Sequence, residues 1–245
     1  MLLHNALHAS FVGFWLGLLN RDLLHQVDRT YYDNQKFYRN EDYNRKGLFD
    51  WEKPVIQQYF SRCKKILVIG AGGGREVLAL GRLGYEVDGY ECNPLLVEAA
   101  QKIISCENLN TQVNVQFFPR DGCPDGEINY DGAIVGWSAY MLIQGRETRV
   151  AFLKALRKRL LPNSPVLLSF FHRKRESRSY KLTFWIANLF RRLKLQERIE
   201  LGDDLVPNFV HNFSKEEVDS ELREGGFSMI VYNDRPYGHA VGVVR

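Results

Sequence analysis

Apolar and polar positions succeed one another in blocks that predict helices alternating with short buried strands. Phe11, Phe14, Trp15, Leu18, Leu19, Leu23 and Leu24 recur at three- and four-residue steps, which predicts helix over residues 1 to about 30. The next segment mixes rings with polar tips: Tyr31, Tyr32, Phe37, Tyr38, Tyr43, Asn44, Phe49 and Trp51. Such side chains suit a surface that is partly buried and partly wet, as a ligand lid is. A helix over Pro54 to Phe60 leads to Ile66–Ile69, a wholly apolar run that reads as a strand buried on both faces. Gly70 to Gly74 break the chain, and a helical pattern with Val77, Leu78 and Leu80 runs from Arg75 to a stop at Gly84.

The alternation continues. Tyr85 to Tyr90 is a second strand, ending in Glu91, and Asn93-Pro94 opens a helix through Ile104. Val113 to Phe118, Tyr130 to Trp137 and Pro165 to Phe171 are further strands, with a helix over Arg146 to Leu161 before the last of them. Leu182 to Leu193 reads as helix, and Gly202-Asp203-Asp204 with Pro207-Asn208 punctuates a loop. Ser214 and Glu217 form a capping box with Phe213 and Val218 as its staple, so a helix runs through Leu222 to Gly225-Gly226. Phe227 to Tyr232 and His239 to Val244 close the chain as two β runs.

Strands separated by helices imply an α/β fold with a mostly parallel sheet. Strand, glycine turn and helix at 66–82 make a nucleotide-binding corner, where the backbone turns tightly and the helix start offers free N–H groups. The glycine spacing narrows the ligand. A dinucleotide fingerprint would need its third glycine at position 75, where Arg75 stands, whereas Gly70, Gly72 and Gly74 give Gly-x-Gly-x-Gly. Glu91, at the tip of the next strand, is placed to accept bonds from both ribose hydroxyls of an adenosine.

With these residues in register the chain resembles the class I S-adenosylmethionine-dependent methyltransferases. The resemblance covers about residues 60–171 and 213–245 and implies a Rossmann-like sheet of seven strands, mostly parallel with an antiparallel last strand, to which the chain adds an N-terminal helical lid and a helical insertion after strand 5. It implies one domain over residues 1–245: a cap over 1–60, a cofactor core over 61–171, a substrate-side insertion over 172–212 and a closing unit over 213–245. The cofactor is then S-adenosyl-L-methionine, held by Gly70, Ala71, Gly72, Gly74, Glu91, Cys92, Asn93, Asp121, Gly122, Trp137 and Tyr43. Asp121 matches the acid that takes the adenine amino group, and Trp51 is expected beside Tyr43 near the cofactor. His172, directly after the fifth strand, is the leading candidate base, with His211 second and Tyr140 poised over the site.

Composition adds bounds. Hydrophobic content of 45% and charged content of 25% are ordinary for a globular chain of 245 residues. A net charge of +4 permits an acidic ligand without demanding nucleic acid. The four cysteines, Cys63, Cys92, Cys106 and Cys123, form no Cys-x-x-Cys pair, so neither zinc nor a disulfide framework is indicated and a cytoplasmic setting is expected. No His/Asp/Glu set shows metal-ligand spacing. Phe11 to Leu19 lacks a basic start and is too short to span a bilayer, which leaves membrane-surface contact as its only membrane reading.

The expected activity is methyl transfer to an oxygen or nitrogen of a small molecule or peptide. The run Arg173, Lys174, Arg175 and Arg178 suits an anionic acceptor, and it keeps an RNA methyltransferase as an alternative beside a non-catalytic S-adenosylmethionine-binding protein. A nicotinamide oxidoreductase is disfavoured by Arg75. The sequence carries no signal for oligomeric state.

Overall fold

A computed structural model describes residues 2–127, 130–173 and 178–245, with side chains from residue 5. Leu2–Leu18 forms α1 and Arg21–Asn34 forms α2. The apolar rhythm expected to run as one helix is therefore broken, because Asn20 accepts a bond from the Leu23 N–H at 2.9 Å and caps α2. After a 3-10 turn at Lys36–Arg39 come α3 (Glu41–Arg45) and α4 (Glu52–Tyr59).

The sheet begins with β1 (Lys65–Ile69), followed by α5 (Arg75–Arg82), β2 (Glu86–Glu91), α6 (Pro94–Cys106), β3 (Val113–Phe117) and β4 (Gly132–Val135). Next are α7 (Arg146–Arg157), β5 (Pro165–His172) and α8 (Arg178–Leu193). The chain ends with β6 (Asp203–Leu205), β7 (Phe209–Phe213), α9 (Lys215–Glu224), β8 (Phe227–Asn233) and β9 (Gly238–Val244). The capping box at the start of α9 is present, with Ser214 N–H donating to Glu217 Oε2 at 2.7 Å.

Strand order is β3-β2-β1-β4-β5-β7-β6, with β9 also paired to β5 and β8 to β9. β1 to β5 are mutually parallel, and β9 runs antiparallel to both β5 and β8. Among the described residues the sheet has nine strands, not the seven expected. The difference is the β6–β7 hairpin in the stretch expected to be loop, where β7 extends β5 beyond the reach of β9 by pairing with Phe171 and His172.

Helices cover both faces, as a parallel sheet requires. On one, Val55 and Ile56 of α4, Val77 and Leu80 of α5 and Val97 and Ala100 of α6 pack on Ile66 and Val68. On the other, Phe152, Leu153 and Leu156 of α7 and Val218 and Leu222 of α9 pack on Leu67, Val135 and Leu168. A third cluster joins Val12, Leu16 and Leu24 to Ala187, Ile199 and Phe209, which anchors α1 and α2 beside the hairpin.

Candidate functional site

β1, β2, β3 and β4 all deliver their carboxyl ends to one cavity of about 400 Å3. Ligands of open α/β sheets bind at this edge, where strand order reverses between β1 and β4. The floor is the glycine loop. Gly70 and Ala71 N–H groups both donate to Tyr90 O, at 2.8 and 3.0 Å, which brings the loop over the end of β2. Gly70, Gly72 and Gly74 have φ of 76°, 55° and 96°, so the loop follows a path that only glycine takes without strain. An added Cβ at Gly72 would meet no protein atom within 4 Å, and Gly72 lines the cavity.

Glu91 is held by the backbone around it. Oε2 accepts from Gly72 N–H and Oε1 from Asn93 N–H, each at 2.9 Å. One lone pair on each oxygen stays available for a pair of ribose hydroxyls. Asn93 caps α6 through its Oδ1 and donates from Nδ2 to Asp33 Oδ1 at 2.8 Å, so it also fastens the end of α2.

α2 lies across the cavity and is latched along its length. Arg21 Nη2 and His25 Nε2 approach Asp121 Oδ2 at 3.2 and 3.4 Å. Arg120 Nη1 meets the buried Asp28 Oδ2 at 2.6 Å, and Asp28 Oδ1 accepts from Phe209 N–H at 2.9 Å. Burial raises the Asp28 carboxyl despite the Arg120 charge beside it. His25, Arg29 and Tyr32 of α2 line the cavity, and Tyr38, Tyr43 and Asn44 complete that wall. Burial pushes the Tyr43 hydroxyl up to about 12 and raises those of Tyr32 and Tyr38, so all three stay neutral at ordinary pH.

The lid segment is joined to the glycine loop by a buried cluster. Arg75 Nη1 and Nη2 pair with Glu52 Oε2 and Oε1, and Nη2 also reaches Glu76 Oε1 at 2.6 Å. Glu76 Oε1 in turn accepts from Trp137 N–H at 2.9 Å, which fixes the start of the loop after β4.

S-adenosylmethionine fits this site on observations of the chain itself. Asp121, turned inward at φ 63°, has an Oδ1 that is buried and without a partner among the described residues, an acceptor suited to an adenine amino group. Glu91 suits the ribose, and the open space over Gly72 suits the chain that the adenosine carries.

Of the residues expected to hold the cofactor, Gly70, Ala71, Gly72, Glu91, Cys92, Asn93, Asp121, Gly122, Trp137 and Tyr43 line the cavity. Gly74 lies off it. It precedes α5 with φ 96°, and a Cβ there would meet Ala100 Cβ at 3.0 Å. Trp51 also lies elsewhere, stacked on His239 with ring centroids 4.7 Å apart.

The three catalytic candidates do not line the cavity either. Tyr140 is fully buried on the far side of the loop after β4 and donates to Glu221 Oε2 at 2.6 Å. His172 Nδ1 lies 2.7 Å from the Tyr232 hydroxyl at the end of β5. His211 Nδ1 is buried 2.7 Å from Asp203 Oδ1 on the β6–β7 hairpin. Glu200, Asp203 and His211 bring donor atoms within 4.8 Å of one another, a grouping made by the fold and not by sequence spacing. Arg149 Nη2 already sits 2.6 Å from Glu200 Oε2 there and supplies the positive charge.

Arg173 is buried and paired with Glu217, so it faces away from the cavity. Lys174 and Arg175 lie outside the described residues. Residues not singled out from the sequence but found on the cavity wall include His25, Arg29 and Arg120, whereas Tyr32 of the expected lid and Ser138 at the end of β4 line it as their positions suggest. The signal for His25 and Arg29 was their i, i+4 spacing on the polar face of α2.

Residues 31–144 match the family model described as tellurite resistance protein TehB. No curated protein sequence matches the chain. Among solved structures, an S-adenosylmethionine-dependent methyltransferase from Methanosarcina mazei is 18% identical, with a TM-score of 0.64 over 81% of this chain and 98% of that one. The 1,6-didemethyltoxoflavin-N1-methyltransferase of Burkholderia thailandensis, solved with 1,6-didemethyltoxoflavin and S-adenosylhomocysteine, is 16% identical, with a TM-score of 0.59 over 91% and 87% of the two chains. The cyclase SpnF is 11% identical, with a TM-score of 0.59 over 79% of each chain. The chain has the Rossmann-like fold of the class I S-adenosylmethionine-dependent methyltransferases, and this fold together with the match over residues 31–144 supports S-adenosylmethionine as the cofactor.

Proposed function

We propose that this chain transfers the methyl group of S-adenosylmethionine to an oxygen or nitrogen of a small molecule or peptide. The observation that carries this reading is the meeting of Glu91, Asp121 and the glycine loop with a polar aromatic wall from outside the sheet. The cofactor, when bound, supplies an electrophilic methyl group on a sulfonium. The residues of the chain then bind and orient. Glu91 and Asp121 fix the adenosine at its two polar ends, and the glycine loop leaves room for the rest. Tyr32, Tyr38 and Tyr43 offer neutral hydroxyls that position an acceptor without abstracting its proton. α2 and the 3-10 turn keep bulk water from the reacting atoms. Holding nucleophile and methyl in line supplies on the order of 7–11 kcal/mol in favourable systems, which suits a site built for positioning.

An anionic acceptor remains the preferred class, now on a different cation. Arg29 lines the cavity, whereas Arg173 is taken by Glu217. His25 is the one histidine lining the cavity among the described residues, and Asp121 holds it to the adenine end. A carboxylate acceptor needs no base and is the acceptor type this wall serves best. Incubation with methyl-labelled S-adenosylmethionine and pools of small acids and peptides tests the reading. Labelled acceptor together with stoichiometric S-adenosylhomocysteine is the expected result. Cofactor binding without transfer to any pool would favour a non-catalytic protein, and the fold alone does not decide, since a cyclase shares it.

A further inference from the structure

α1 and α8 pack on each other and leave an apolar face that nothing among the described residues covers. The crossing is close because Gly13 and Gly17 carry no side chain. An added Cβ would lie 2.9 Å from Ile186 Cβ and 2.7 Å from Phe190 Cβ, respectively. Thr183 Oγ1 donates to Ala9 O at 3.1 Å and Arg191 Nε to Leu16 O at 2.7 Å, so polar bonds fix the pair as well. Val12, Leu16 and Ala187 point inward to the third core cluster.

The outward side is different. Leu7, Phe11 and Trp15 stand at four-residue steps on α1, and Trp185, Leu189 and Leu193 do the same on α8. Phe11 is 62% exposed, Trp185 71% and Leu193 75%. Phe14 and Phe190 meet edge-on at 5.4 Å and join the two stripes into one patch. Apolar side chains gathered in this way mark a contact surface, not the scattered exposure normal for a soluble face.

Charge says what the surface contacts. Neither helix contains an aspartate or glutamate, and α1 has no lysine or arginine either. Arg178 and Arg192 stand at i−7 and i+7 to Trp185, beside it on the α8 stripe, and both are exposed. A second copy of this chain would set these cations against one another, which is unfavourable. Acidic headgroups would meet them with opposite charge, while tryptophan and leucine enter the headgroup boundary. No helix among the described residues is long and apolar enough to cross a membrane, so such contact is peripheral.

We propose that the α1–α8 pair docks the protein on an anionic membrane surface, with its aromatic and leucine stripes in the headgroup boundary and its basic edge on the acidic lipids. α1 continues through Leu19-Asn20 into α2, the helix whose His25, Arg29 and Tyr32 line the cavity. The test is sedimentation of the full chain with vesicles of phosphatidylglycerol and phosphatidylcholine in equal parts, and with phosphatidylcholine alone. The expected result is pelleting with the anionic vesicles, weakened by salt and by loss of the acidic lipid, with a blue shift of tryptophan emission from Trp185. Leu189→Ser with Leu193→Ser should lower vesicle affinity by about tenfold or more while cofactor affinity stays unchanged, because both side chains are exposed. Absence of pelleting, or equal pelleting of the double variant, would overturn the proposal. A concentration-dependent dimer that the double variant abolishes, with no vesicle binding, would assign the face to a second copy instead.

Discussion

Arg75 and Glu52 form a buried two-pronged ion pair, with Nη1 2.7 Å from Oε2 and Nη2 2.9 Å from Oε1, and this pair ties the lid side of the molecule to the glycine loop. Glu52 Oε2 also accepts from the Phe49 N–H, and the Phe49 ring lies 3.6 Å from the Arg75 guanidinium. Glu52→Ala would leave a buried guanidinium with Glu76 as its one carboxylate and the Gly47 carbonyl beside it, and an amide without its acceptor. Removing one partner of such a pair costs about 3–5 kcal/mol. Urea denaturation of the variant should show a loss of that size, and a loss below about 1 kcal/mol would mean the pair is well solvated.

Gly73 marks the closest approach of lid to loop. An added Cβ there would fall within contact distance of the Tyr38 carbonyl oxygen and 2.6 Å from Asn44 Nδ2. Gly73→Ala should therefore push the 36–45 segment off the cavity and weaken S-adenosylhomocysteine binding by about tenfold or more, equivalent to 1.4 kcal/mol. Calorimetry giving the parent affinity would show that the segment does not touch the bound cofactor.

Much of this architecture was legible in the chain. The β1 to α5 corner, Glu91 at the tip of β2 and the capping box of α9 are local patterns, each set by neighbours within a few residues. What was not legible depends on distance. Asp121 meets Arg21 across 100 positions, Arg120 meets Asp28 across 92 and Asn93 meets Asp33 across 60. No local rhythm names such partners, so the apolar steps of residues 1 to about 30 predict helix but not the latches of α2. In the sequence Arg75 marks only the absence of the third glycine that a dinucleotide loop would need, and no local pattern names Glu52 as its partner. The β6–β7 hairpin was missed because its strands are short, β7 is buried throughout instead of alternating, and Pro207-Asn208 reads as a loop. His172 and Tyr140 are candidates because they stand near predicted strand ends, and His211 because it stands before the last helix. Their side chains turn to Tyr232, Glu221 and Asp203.

Asp121 gives a test of how the adenine is read. Its free Oδ1 should accept a bond from the adenine amino group, so the protein should prefer S-adenosylhomocysteine over the inosine analogue, which lacks that donor, by about 1–3 kcal/mol. Asp121→Ala also releases Arg21 and His25, which weakens both ligands alike. The ratio of the two affinities isolates the amino group. It should collapse toward unity in the variant, and an unchanged ratio would place the adenine elsewhere.

His211 offers a pH signature of the buried hairpin. Burial, reinforced by the Arg149 charge, pushes its imidazole down to about 4, while burial pushes Asp203 up to about 6. Unfolded, His211 takes its proton near 6.5, so its contribution to stability is full above that pH and is lost as pH falls toward 4. Asp203 acts with the opposite sign between about 6 and its unfolded value, and it is present in both parent and variant. The stability gap between the parent and His211→Gln should accordingly shrink between pH 7 and pH 5 in urea titrations. A gap that widens on acidification would mean the pair is a charged imidazolium–carboxylate bridge.

Glu91 is the residue proposed to receive the ribose in the cofactor site built by the strand ends. Calorimetric titration of the full chain with S-adenosylmethionine, parent against Glu91→Ala, measures this directly. The parent should bind with one-to-one stoichiometry, and the variant should bind more weakly by about 1.5–3 kcal/mol, the worth of hydrogen bonds to a charged group. No binding by the parent, or equal affinity in both proteins, would contradict the assignment.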